Sequence, residues 1–138
     1  MMSGIVTGAP NLLLRLEGLF VFIGACAAYA LLGANWWLFA ALILAPDLSM
    51  LGYLAGRKAG AAVYNLAHWY GLPFACIGWG VFLHVPLALA VGLIWAAHIG
   101  VDRALGYGLK YADGFGVTHL GAKGQARGAA QLQPADVR

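Results

Sequence analysis

The side chains able to do chemistry in this chain are few, and their spacing is informative. Asp47 directly follows Pro46 in the run Pro46-Asp47-Leu48-Ser49-Met50-Leu51-Gly52-Tyr53, which places a carboxylate inside an otherwise apolar stretch. His98 and Asp102 are four residues apart, so on a helix they share one face a turn from each other. Tyr64 and His68 have the same spacing, and Asn65 stands three before His68. Two imidazoles and two carboxylates make a mixed nitrogen and oxygen donor set suited to zinc, iron or manganese, and the His-x-x-x-Asp step puts two donors one turn apart. Ser49, Tyr53, Tyr64, Asn65 and Arg103 are then candidates for orienting the ligands or touching a substrate.

The same residues admit two other readings. In the first they are structural: Arg15 and Arg103 neutralise Glu17, Asp102 or Asp47, while the histidines and Asn65 hydrogen-bond across helices as interhelical glue. In the second, His68 and His98 are axial ligands of a haem or part of a proton relay, since imidazole titrates near neutral pH. Only these two histidines lie within the apolar segments, so one haem is the maximum. No Ser-His-Asp order, phosphate loop or nucleophile elbow is present.

These side chains need elements to position them, and composition says where those elements sit. Of 138 residues, 62% are hydrophobic and only 9% charged, against roughly 25% charged in soluble domains. With a mean hydropathy of +0.79, the chain reads as an integral membrane protein of all-α class, its first partner the lipid bilayer. The net charge of +3 comes from scattered basic residues without interleaved aromatics, which argues against nucleic acid. Cys26 and Cys76 sit in apolar runs with no ligand spacing and read as packing residues.

Four spans are expected, over about 12–32, 36–55, 60–81 and 86–105, forming a four-helix bundle. Each is close to the roughly 20 residues that cross a hydrocarbon core. Trp36 and Trp37 belong at the headgroup level. Pro46 has no N–H for the carbonyl of Leu42, so the second span should kink and free a backbone acceptor just before Asp47; a second kink is expected at Pro73. Residues 1–11 read as a polar lead-in, and residues 121–138, rich in Gly, Ala, Gln and charge, as a mobile cytoplasmic tail. Ala28-Tyr29-Ala30 could mimic a signal-peptidase site, but no Lys or Arg precedes the apolar run until Arg15, so the first helix is expected to be retained.

Arg57 and Lys58 form the only charged loop between spans, and they fall on the same side as the basic C-terminal segment. That places both termini in the cytoplasm of a multi-pass protein of the plasma membrane. At 1.5 Å per residue, Glu17 then lies about 8 Å in from the cytoplasmic end of its helix, Asp47 about 13 Å, His68 and His98 about 12 Å and Asp102 about 6 Å. All fall in one half of the bilayer, where ionised groups cost roughly 2.5 to 3.5 kcal/mol each and so should face the interior together. Gly52, Gly56 and Gly60 have the four-residue spacing that allows close helix approach, which leaves a homodimer or a place in a larger membrane complex open.

The succession of Pro46-Asp47-Leu48-Ser49-Met50-Leu51-Gly52-Tyr53, Tyr64-Asn65-Leu66-Ala67-His68, Ala97-His98-Ile99-Gly100-Val101-Asp102-Arg103, Gly106-Tyr107-Gly108-Leu109-Lys110-Tyr111 and Thr118-His119-Leu120-Gly121 resembles a small bacterial inner-membrane family known only as a domain of unknown function. That resemblance covers roughly residues 12 to 121 and implies a compact four-helix membrane protein without supplying an activity. The chain is more loosely similar to membrane-bound metal-dependent hydrolases, whose patterns include Pro-Asp-Leu-Asp, a Thr-His and a His-x-x-x-Asp. In that likeness Asp47, His68, His98 and Asp102 correspond in order. Ser49 stands where the second acid would be and Ala67 where the Thr would be, so Glu17 or His119 would have to substitute, His119 by folding back from the tail.

Overall fold

The computed structural model describes residues 4–122. Helix α1 (Gly8–Leu32) starts at Gly8 rather than Leu12, and α2 (Trp36–Leu42) runs into a 3-10 helix over Ala45–Ala55. Helices α3 (Arg57–Ala67), α4 (Gly71–Phe82) and α5 (Pro86–Leu105) follow. The last described residues form a small antiparallel pair, β1 (Val117–Thr118) with β2 (Gly121–Ala122), so the first two residues expected in the tail are ordered. The rest of that expected tail lies outside the described residues.

The chain is an all-helical membrane bundle in which α5 is the central rod. It packs along α1 on one side and α4 on the other, and touches α2 and the 3-10 segment, while α3 packs on the 3-10 segment. Three stretches are long and apolar enough to cross a membrane: Gly8–Leu32, Trp36–Ala55 and Pro86–Leu105. The expected third span is not one continuous helix. It breaks between Ala67 and Gly71 into α3 and α4, of 11 and 12 residues, each roughly 16 to 18 Å long and short of a bilayer core.

The break falls a turn before Pro73 because Pro73 has no N–H for the Trp69 carbonyl; it sits instead in the first turn of α4, where an N–H would have no helical partner anyway. His68 at the end of α3 meets His98, and a Cβ at Gly92 further along would touch Ile77 and the Pro73 carbonyl.

Close packing of small residues joins α1 to α5. A Cβ at Gly100 would lie 2.7 Å from the Gly18 carbonyl oxygen and 2.7 Å from Phe22 N, so the two backbones are in contact. In lipid, where burial of apolar surface gains little, such van der Waals contact is the main attraction between helices. Toward the other end Tyr29 is fully buried, and its hydroxyl donates to the Asn35 carbonyl at 2.7 Å. Trp36 and Phe39 set their rings edge-on against it, at 5.0 and 5.2 Å. Trp36 is therefore partly engaged in the bundle, while Trp37 is 83% exposed.

Gly106, with φ of 86°, ends α5 in the left-handed region and turns the chain into the loop 106–122. That loop is tied down at both flanks. The Asn65 carboxamide accepts from Lys110 N at 2.6 Å and donates to the Lys110 carbonyl at 2.8 Å, as a neighbouring strand would. Asn11 donates to the carbonyls of Val6 and Leu120, clasping the start of α1 to the loop.

Candidate metal centre

The two prolines build the site. At the first, Asp47 N bonds Leu44 O at 3.1 Å in the tighter 3-10 pattern. The Ile43 carbonyl then has no helical partner, since its 3-10 partner is Pro46, which has no N–H, and its α-helical partner is Asp47, already engaged. His98 Nδ1 takes that carbonyl at 2.6 Å. The freed acceptor is thus Ile43 O, one residue on from the carbonyl opposite Pro46.

At the second break, the Tyr64 carbonyl accepts His68 Nδ1 at 2.9 Å. The Ala67 carbonyl accepts Trp95 Nε1 at 2.7 Å, and the His68 carbonyl accepts Arg103 Nη2 at 3.3 Å. Side chains of one continuous helix, α5, thereby satisfy carbonyls released at both breaks.

Because a carbonyl can only accept, both histidines carry a proton on Nδ1, and in its neutral form each imidazole then points a lone pair from Nε2. Those two Nε2 atoms are 3.1 Å apart, with both rings 3% exposed. Asp47 Oδ1 lies 3.5 Å from His68 Nε2 and 3.4 Å from His98 Nε2. Asp102 Oδ2 lies 3.6 and 3.4 Å from the same two atoms. All four donor atoms are within 4.8 Å of one another.

Two lone pairs facing two carboxylates at such distances repel unless a proton or a metal cation lies among them. Donors at 2.0 to 2.1 Å from a tetrahedral ion are about 3.3 to 3.4 Å apart, and the nitrogen to nitrogen and nitrogen to oxygen distances here, from 3.1 to 3.6 Å, bracket that spacing. The group could hold a metal ion, and each imidazole already has the backbone acceptor that metal-bound histidines use to fix their orientation. The carboxylates form the open side, with Asp47 39% and Asp102 21% exposed.

The other residues singled out from sequence take different places. Tyr64 is buried and stacks on His68 with centroids 3.8 Å apart. Asn65 acts on the loop rather than the ligands. Glu17 is exposed on α1 and outside the four-ligand group. His119 does fold back, but its Nε2 lies 2.8 Å from Arg103 Nη1 and its Nδ1 accepts from Leu109 N at 2.9 Å, outside that group. Burial and the Arg103 guanidinium push its pKa below the ordinary histidine value. Neither Arg15 nor Arg103 pairs with a carboxylate among the described residues; Arg15 donates to the Ala104 carbonyl at 2.9 Å. The hydroxyls of Ser49 and Tyr53 are buried and have no hydrogen-bond partner among the described residues.

Lys110 is a residue that sequence reasoning passed over. It is 8% exposed, and its Nζ stands 3.3 Å from the Phe115 ring centroid, 4.4 Å from Tyr64 and 5.6 Å from Tyr53. Burial pushes its pKa down, against the pull of the Asp47 and Asp102 carboxylates. Its position in the Gly106–Tyr111 motif beside an aromatic was the available signal; its charge alone pointed only to topology.

A family model described as Domain of unknown function (DUF4260) matches residues 11–122, a range that includes every ligand of the candidate centre. No curated protein and no solved structure matches the chain.

Proposed function

The chain belongs to the DUF4260 family, whose description assigns no activity, and from the site itself we propose that it is a membrane metalloprotein. In this reading Asp47, His68, His98 and Asp102 hold one divalent ion, zinc, iron or manganese, close to the cytoplasmic face of a bacterial plasma membrane. The observation that carries it is the pair of Nδ1 bonds to the Ile43 and Tyr64 carbonyls, which leave both Nε2 lone pairs converging at 3.1 Å. That separation suits adjacent corners of one coordination sphere. Trans ligands of a haem iron would stand about 4 Å apart, judged from metal to nitrogen distances near 2 Å.

Hydrolysis is the reaction class such a centre supports, because a divalent ion polarises an ester oxygen and lowers the pKa of bound water. The protein's part is to orient the imidazoles through backbone carbonyls and to keep the carboxylate side open. Ser49, where the looser hydrolase likeness wanted a second acid, is not needed for a set of four donors. The topology belongs to the same reading. The start of α1 and the end of α5 lie together, Arg15 donating to the Ala104 carbonyl, and with the basic Arg57-Lys58 loop read on the same side the positive charge favours both termini in the cytoplasm.

Metal analysis of detergent-purified protein is expected to give close to one ion per chain, falling at least tenfold in Asp47→Ala and His98→Ala; a folded, metal-free wild type would refute the centre. A reporter fused after Arg138 is expected to be active on the cytoplasmic side, and periplasmic activity would reverse the orientation.

A second reading keeps the cluster as interhelical glue in a scaffold, a homodimer or an accessory subunit. It is favoured by the Trp36–Ala55 span, none of whose residues is buried within the chain, so that a partner helix has a free face to cover. Co-purification of a fixed partner, with the same two substitutions lowering stability and leaving metal content at zero throughout, would select it.

A further inference from the structure

Two features beside the centre have no role in holding a metal. The first is a cavity of about 320 Å³, lined by Leu42, Pro46, Ser49, Ala67, Ile94 and Trp95 among others, almost wholly apolar. Its walls adjoin the ligands directly: Pro46 precedes Asp47, Ala67 precedes His68, and Ile94 is one turn before His98 on α5. Its one hydroxyl, Ser49 Oγ, is buried without a partner.

The second is Lys110, on the other side of the same ligands. The Tyr64 ring joins the two, with the Lys110 ammonium 4.4 Å from its centroid and the His68 imidazole stacked on it at 3.8 Å. Tyr53, whose hydroxyl is also buried and unpartnered, adds a second ring and a free donor there. The order along the bundle is therefore apolar cavity, ligand group, buried cation.

Charge makes this order specific. A divalent ion would neutralise Asp47 and Asp102, and Lys110 would then be a buried cation held by aromatic faces with no carboxylate partner among the described residues. A buried charge without a partner is costly, and the half-buried Arg103, engaged by the His68 carbonyl and His119, adds further positive charge. The loaded centre would carry an excess of positive charge on the side away from the cavity.

Resting on the metal reading above, the geometry points to a phosphate monoester bearing a hydrocarbon chain as the ligand of this centre, with the chain in the cavity and the phosphate on the open, carboxylate side of the ligand group. Aromatic faces hold the Lys110 ammonium without quenching it, so its charge still acts across the Asp47 and Asp102 side, where the phosphate would sit. A free phosphate would use the same cation and leave the cavity idle.

The test uses the full-length, metal-loaded protein in a neutral detergent, with dodecyl phosphate, inorganic phosphate and dodecyl alcohol as separate probes in calorimetric titrations. Dodecyl phosphate is expected to bind at least tenfold more tightly than either of the others, a gain that burial of two or three methylenes would supply at roughly 0.8 kcal/mol each. Lys110→Gln is expected to cost at least tenfold for dodecyl phosphate at unchanged metal content, with Lys110→Arg recovering most of it. Ala67→Leu, which narrows the cavity, should weaken dodecyl phosphate alone. Equal binding by wild type and Lys110→Gln, or inorganic phosphate binding as tightly as dodecyl phosphate, overturns this inference. Metal content measured on the same samples separates the two claims: a metal-free wild type overturns the centre and this inference together, whereas a loaded wild type with no preference for dodecyl phosphate overturns this inference alone.

Discussion

Among the places where glycines bring helical segments into backbone contact in this molecule, two serve different ends. Between α1 and α5, Gly18 and Gly100 meet along continuous, unbroken helices. Between the 3-10 segment and α3, Gly60 lies against Tyr53 and Gly52 against Val63, but the first of these segments begins, and the second ends, at a proline-linked break. The first contact holds the bundle; the second sets Asp47 opposite His68. A regular pair has no spare acceptors to aim a side chain with, and a broken pair does. The candidate site sits where helical regularity is given up, and α5 supplies the donors that make the loss tolerable.

That contrast can be broken from either side. The largest expected effect is from Gly100→Val, which pushes a side chain into the Gly18 carbonyl and the Phe22 backbone. It should cost about 3 kcal/mol or more, read as a lowered melting temperature and loss of folded protein on size exclusion. If the protein keeps its wild-type melting temperature, the α1 and α5 contact does not hold the bundle.

Pro46→Ala tests the other side with little change in bulk. An N–H at position 46 would compete for the Ile43 carbonyl in the 3-10 pattern and release His98 Nδ1. Metal affinity is expected to fall roughly 10- to 100-fold, as for loss of other partners that orient ligands, while thermal stability of the metal-free protein stays the same or rises. Unchanged affinity in a competition titration would show that the freed carbonyl does not orient His98.

The smallest effect concerns acid and the loop. His119 is held neutral by burial and by Arg103, so its folded pKa lies below that of the unfolded chain. The unfolded chain takes the proton first; the contribution is full above about pH 6.5 and is lost as pH falls through the folded value. Protection of the Leu109 amide, whose N–H is bonded to His119, should therefore fall between pH 7 and 5, its exchange slowing less than the intrinsic rate does, and His119→Gln should remove that pH dependence.

Much of this was legible from residue types. The apolar runs gave three stretches long enough to cross a membrane. Because charges in lipid must gather, the polar residues of one half of the bilayer pointed to Asp47, His68, His98 and Asp102, which the structure brings together, along with Glu17, which it does not. The 3-10 conformation over Ala45–Ala55 was hidden because α and 3-10 helices draw on the same apolar residues. Pro73 announced an interruption, but its distance from the break depended on which turn could dispense with an N–H. Lys110 was missed because sequence treats a lysine after the last span as an orientation signal, and only the fold of the loop brings it under Phe115 and Tyr64.

That α5 closes the open carbonyls of both earlier breaks has a consequence for biogenesis. While the ribosome has delivered only the first 85 or so residues, Ile43, Ala67 and His68 have no partner for their freed carbonyls, and Asp47 faces a single imidazole. The half-made chain is thus an unsettled hairpin that gains its partners only when the last helix enters the bilayer. Completion of the Asp47, His68, His98 and Asp102 group is a property of the finished polypeptide, reached only after α5 is in place.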